Sequence, residues 1–152
     1  MAGHDKLTAA GKQFFKEIKE LKKLELRVGF QQGEENDEDG ADLVDVAMWN
    51  ELGTAHSPPR PFMRQSVDNN AGKITAMCKA QLALISRGET DAKGILQKIG
   101  NMQKALIQAA IRDGDFIENA KSTIDKKKSD RPLIDTGRMR QSVNFVIKKK
   151  GG

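Results

Sequence analysis

Hydrophobic positions along the chain change period several times, and each change marks an element. Leu7, Ala10, Phe14, Ile18 and Leu21 recur at helical spacing with Lys and Glu between them, which predicts an amphipathic helix over residues 7–23. Leu24, Leu26, Val28 and Phe30 then alternate with Glu25, Arg27 and Gly29, the period-2 pattern of a half-buried strand. Asp42 is placed to cap a helix through Leu52, in which Val44, Met48 and Leu52 share an apolar face widened by Leu43, Ala47 and Trp49. Gly53 sits where a terminating glycine belongs. Beyond a proline-rich arm, Ile74, Met77, Cys78, Leu82 and Ile85 mark a helix that starts near Met63 and ends before Gly88. Thr90 or Asp91 caps the next, whose stripe is Ile95, Ile99, Met102, Leu106 and Ala109 or Ala110, and which breaks near Asp113-Gly114. Phe116, Ala120 and Ile124 fit one short helical stripe, and Val143, Phe145 and Ile147 alternate as a closing strand. The expected fold class is α+β, with several amphipathic helices packed on a small, mainly antiparallel sheet.

Composition narrows this picture without changing it. A chain of 152 residues fits one domain, residues 1–152, with one modest core. Only 5% of residues are aromatic and none is Tyr, so the core rests on Leu, Ile, Val, Met and Ala. The N-terminus lacks the apolar run of a signal peptide, and no stretch approaches the ~20 apolar residues of a membrane span. A soluble, intracellularly made protein with no membrane contact is expected. Cys78 is the single cysteine, which excludes an internal disulfide and Cys-based metal motifs. Its place on an apolar stripe predicts buried packing.

Charge is unevenly distributed. The net charge is +5, yet Glu34, Glu35, Asp37, Glu38, Asp39 and Asp42 crowd one stretch. Removing those six from the 21 acidic residues leaves 15 against 26 basic ones. The acidic run reads as a mobile loop over residues 33–41, too poor in apolar residues to pack. Lys126–Lys128 and Lys148–Lys150 read as a solvated turn and a flexible basic C-terminal tail. Without interleaved aromatics, any DNA contact they make is blind to sequence. Such polarity suits nucleic acid, head-to-tail contact between copies, or simple solubility.

Candidate chemistry is thin. Asp135-Thr136-Gly137 after Leu133-Ile134 matches the aspartic-protease triplet, in which two facing carboxylates share a proton. Arg138 stands where those proteases carry a small residue, and only fifteen residues follow Gly137. A turn capped by Asp135 or Thr136, with Gly137 supplying a permissive backbone, is the simpler reading. Counted from Glu35, the acidic run places Asp37, Asp39 and Gly40 as a calcium loop would, but Val46 occupies the position of the bidentate Glu. His4 and His56 form no ligand-spaced pair. No catalytic residue, cofactor or metal is expected. Pro58-Pro59-Arg60-Pro61 reads as a rigid spacer.

One stretch stands apart: a short apolar helix stopped by glycine, then a proline-stiffened arm ending in Arg60-Pro61-Phe62. Val46-Ala47-Met48-Trp49-Asn50-Glu51-Leu52-Gly53-Thr54 with Pro59-Arg60-Pro61-Phe62-Met63-Arg64 resembles the A-x-x-N-E-[FL]-G-T and P-x-R-P-F core of tailed-phage tail-completion proteins, also called head–tail joining, neck or minor tail-component proteins. A second block lies downstream in the same order. It comprises Ile111-Arg112-Asp113-Gly114, Asn119 to Ile124, Arg131-Pro132-Leu133-Ile134-Asp135-Thr136-Gly137 and Gln141-Ser142-Val143.

The resemblance implies a virion protein made and assembled in the host cytoplasm. Its protomers form a ring, commonly a hexamer, at the head-proximal end of the tail. The implied partners are copies of itself, connector and neck proteins, tail-tube or tail-sheath proteins, and genomic DNA passing through without sequence readout. On this reading Trp49, Asn50, Glu51, Arg60, Pro61, Phe62 and Arg64 form the assembly surface. Arg60 and Arg64 pair with acidic or carbonyl groups and Phe62 fills an apolar pocket, of a neighbour or of its own core. Gly53, Asp135, Thr136 and Gly137 shape turns. The acidic run has no match in the family pattern. In a ring it would face a basic partner or line a channel. The rival functions are a sequence-independent DNA-binding protein and an aspartic protease using Asp135.

Overall fold

A computed structural model describes residues 8–31, 40–113 and 137–151. Among them are six helices and one two-stranded antiparallel sheet, the α+β class that the periodicities predict. In chain order they are α1 (Ala9–Lys23), β1 (Leu24–Gly29), α2 (Leu43–Leu52), α3 (Phe62–Asp68), α4 (Ala71–Ser86), α5 (Ala92–Asp113), α6 (Arg138–Ser142) and β2 (Asn144–Lys149).

Helix α1 begins where Thr8 accepts a hydrogen bond from the Gly11 amide at 3.0 Å and ends on Lys22 and Lys23, which complement the helix dipole. The chain passes directly from Lys23 into β1 with no intervening loop. Strand β1 pairs with β2 over its whole length, Leu24 opposite Lys149 and Gly29 opposite Asn144. Lys148 and Lys149 are therefore strand residues. The Lys150 amide continues the pairing by donating to the Lys23 carbonyl at 2.8 Å, so the expected basic tail is an ordered sheet end. One sheet face rests on α5, where Gly100 makes room for Phe145: a Cβ at Gly100 would lie 2.6 Å from the Phe145 ring.

The core joins Ala47 of α2, Phe62 of α3, Ile107 and Ile111 of α5, Met139 of α6, and Val143, with Val28, Phe30 and Met63 packed against it. Helix α5 is the spine of the molecule and meets α1, α3, α4, α6 and both strands. Asp91 caps it by accepting from the Gly94 amide at 2.7 Å. Its most buried positions are Ala92, Ile95, Gly100, Ile107 and Ile111. Of the predicted stripe only Ile95 is among them, and the rest is half-buried, because neighbours on several sides share the burial.

Four further expectations change. The helix predicted from Met63 to Gly88 is two helices, broken at Asn69-Asn70, where the Asn70 side chain bonds back to the Ser66 carbonyl at 2.9 Å. On α4, Gln81 and Ile85 face inward while Leu82 is exposed, and Cys78 is half-buried rather than buried. Helix α6 is short enough to leave little periodic signal. It starts at Gly137, whose φ of 80° is the permissive conformation expected there. On α2 the assigned apolar face points the wrong way: Leu43 and Ala47 are buried, while Met48, Trp49 and Leu52 lie on the surface. The acidic residues from Glu34 to Asp39, His4, Lys126–Lys128, Asp135 and Thr136 lie outside the described residues. No helix among the described residues is long and apolar enough to cross a membrane.

Candidate functional site

The element from Trp49 to Arg64 folds back on itself, and almost every distinctive residue in it has an internal task. Helix α2 starts on the Asp42 side chain, which accepts from the Val44 amide at 2.9 Å, and stops at Gly53, whose amide donates to the Trp49 carbonyl at 2.9 Å. Gly53 has φ 78° and ψ 170°, a region that residues with a side chain scarcely enter. A Cβ there would sit 2.8 Å from the Pro59 nitrogen, so glycine is required twice over. Thr54 and Ser57 form an isolated antiparallel bridge that turns the chain around.

The returning arm is tied to the end of α2. The Arg60 amide donates to the Asn50 carbonyl, and the Asn50 side-chain amide donates to the Val46 carbonyl at 2.9 Å. Pro61, at φ −78° and ψ 65°, forms an inverse γ-turn, with the Phe62 amide donating to the Arg60 carbonyl at 2.8 Å. That tight turn drives Phe62 into the core. Its ring has no exposed surface and meets Phe30 edge-to-face at a centroid distance of 6.0 Å.

Glu51 completes the clamp. Its two carboxylate oxygens accept from the amides of Met63 at 2.9 Å and Arg64 at 3.1 Å. These are orphan donors at the first turn of α3, and a carboxylate there also complements the helix dipole. Asn50, Glu51, Gly53, Arg60, Pro61 and Phe62 thus form one hydrogen-bonded and packed lock between α2 and α3. The Arg60 side chain is buried, and desolvation holds its pKa below the ordinary guanidinium value.

Of the residues expected to meet a neighbour, Phe62 is spent in its own core and Arg60 is largely enclosed. Arg64 and Trp49 face solvent. Sequence reasoning names Trp49 for the assembly surface but counts Met48 and Leu52, which share its outward side of α2, as core. Met48 and Trp49 are each 48% exposed and Leu52 66%. The signal was present: apolar residues are spread around α2 between Asp45, Asn50 and Glu51, more widely than one buried face needs.

A groove of about 200 Å³ between α3, α4, α5 and β1 is lined mainly by Val28, Met63, Val67, Ile74, Leu106 and Ile107, which offer no acid–base pair. No group of three His, Cys, Asp or Glu side chains among the described residues is placed to hold a metal ion. The chain matches no protein-family profile, no curated protein and no solved structure.

Proposed function

We propose that this chain is a structural protomer that forms a ring at the head-proximal end of a phage tail, completing the tail and joining it to the connector. The observation that carries the reading is the outward face of α2. Met48, Trp49 and Leu52 present large apolar side chains to water, while the opposite side of the same helix is already filled by Leu43 and Ala47. Clustered apolar surface of this kind is stabilised by covering it with other protein. Here it sits on a backbone held by the Glu51 and Asn50 clamp, so a neighbour meets a preformed surface and little ordering entropy opposes docking. The reading of the assembly as a phage tail is supported by the two sequence blocks that resemble tail-completion proteins.

In this reading Trp49 is the anchor, with Met48 and Leu52 beside it and Arg64 at the rim. Asn50, Glu51, Arg60, Pro61 and Phe62 shape the surface from behind. Mass measurement and negative-stain microscopy of the purified protein test the idea. Wild-type protein is expected to form closed rings, and Trp49→Ser/Leu52→Gln is expected to remain folded but monomeric. A wild-type chain that stays monomeric at high concentration, or a double variant that assembles normally, overturns the reading.

A further inference from the structure

Two lysine clusters that lie far apart in sequence meet in the fold. On α1, Lys12, Lys16, Lys19 and Lys23 follow the spacing 4, 3, 4, which sets them in one row along the helix. At ~1.5 Å rise per residue that row is about 16 Å long. It lines a shallow groove shared with Phe15 and Glu20, and Lys22 lies on its flank. At the Lys23 end, the pairing of β1 with β2 sets Lys149 opposite Leu24, and the Lys150 amide bonds the Lys23 carbonyl, while Lys148 alternates to the other sheet face, opposite Glu25. All eight of these lysines are exposed.

The acidic residues of α1 do little to neutralise this surface. Glu17 is turned inward, where its carboxylate accepts from the Ala92 amide at 2.9 Å and from the Gln13 side chain at 2.9 Å. Glu20 approaches Lys23 at 3.5 Å in an exposed pair, of the kind that contributes little.

We propose that the α1 lysine row together with Lys149 and Lys150 forms one surface that binds the phosphate backbone of duplex nucleic acid without reading its sequence. A row of flexible ammonium groups suits a regular track of phosphates, one on each strand for every ~3.4 Å of helix axis. Single-strand binding needs a series of stacking rings, and Phe15 is the one aromatic in the groove. A lipid surface fits less well. Interfacial helices bury a broad apolar face, whereas α1 packs against α4, α5 and β1 and Phe15 is its one large apolar side chain exposed to water. The surface stands apart from the α2 face and does not depend on ring formation.

The test is fluorescence anisotropy of the full chain with two labelled 30-base-pair duplexes of unrelated sequence, across a salt series. Wild-type protein is expected to bind both equally, with affinity falling steeply as salt rises. Lys12→Gln/Lys16→Gln/Lys19→Gln/Lys23→Gln should lower the magnitude of the log–log salt slope by about 3–4 and weaken binding at low salt by at least about 100-fold. Lys149→Gln/Lys150→Gln should remove a further share, and Lys73→Gln/Lys79→Gln on α4 should change nothing. Gln and Lys have similar helix propensity. If the quadruple variant nevertheless fails to fold, Lys16→Gln alone should reduce the slope by about 1. Wild-type slopes in the α1 and β2 variants overturn the proposal. So does tighter wild-type binding to phosphatidylserine vesicles, or to a peptide of residues 33–42, than to duplex at the same salt.

Discussion

Helices α1 and α2 leave opposite surpluses on the surface. Helix α1 has no fully buried residue; it rests on its neighbours through Phe14, Ile18 and Leu21, all half-buried, and shows lysine to solvent. Helix α2, with 10 residues against 15, sinks Leu43 and Ala47 into the interior and still keeps three large apolar side chains in water. The difference separates two kinds of surface. An amphipathic helix that has satisfied its one apolar face needs nothing further, whereas a helix apolar on both sides has a second face still to cover. Lysine on α1 points toward a polyanion and tryptophan on α2 toward protein.

The contrast predicts that inward changes to the α2–α3 clamp cost stability, while outward ones leave it alone. Phe62→Ala should be the most severe, at about 3–5 kcal/mol, seen as a melting temperature lower by roughly 10 °C or more. A loss under 1 kcal/mol would mean that the aromatic core around Phe30 is not organised as described. Next comes Gly53→Ala, which forces a side chain into a glycine-only conformation beside Pro59. Denaturant unfolding should show a loss of about 1–3 kcal/mol. Glu51→Ala removes the carboxylate from the first turn of α3 and should cost about 1 kcal/mol, with Glu51→Asp failing to restore it if the two-amide geometry matters. Smallest of all, Leu52→Gln should move stability by no more than about 0.5 kcal/mol. A large destabilisation there would show that the outer face of α2 belongs to the protomer's own core.

Those elements also show what the residues disclosed in advance. The pattern from Ala10 to Val28 predicted both α1 and β1, because each has one apolar face and one polar face and the period changes cleanly at Leu24. Helix α2 was legible as an element but its facing was not: with apolar residues spread so widely, periodicity cannot say which side is buried. Gln81 and Gly100 were invisible as interior positions, since one is polar and the other has no side chain; only the approach of Phe145 explains the latter. The break between α3 and α4 was written in Asn69-Asn70, residues whose side chains compete for backbone hydrogen bonds, but the apolar stripe begins only at Ile74 and gives no sign of where its helix starts. The Trp49–Arg64 stretch was recognisable as distinctive. Its inward tasks were not, because a capping Glu on one helix and the amides it serves on another are joined only by the turn at Thr54–Ser57.

The pairing of β1 with β2 also sets an order of events during synthesis. Leu24 finds its partner only when Lys149 has left the ribosome. Until then β1 is an open strand edge carried by the nascent chain, of the kind that recruits other strands. The helices between the two strands can dock on one another well before that moment, whereas the sheet closes last and seals the fold late. A chain arrested between Asp113 and Asn144 would hold most of its helices and none of its sheet.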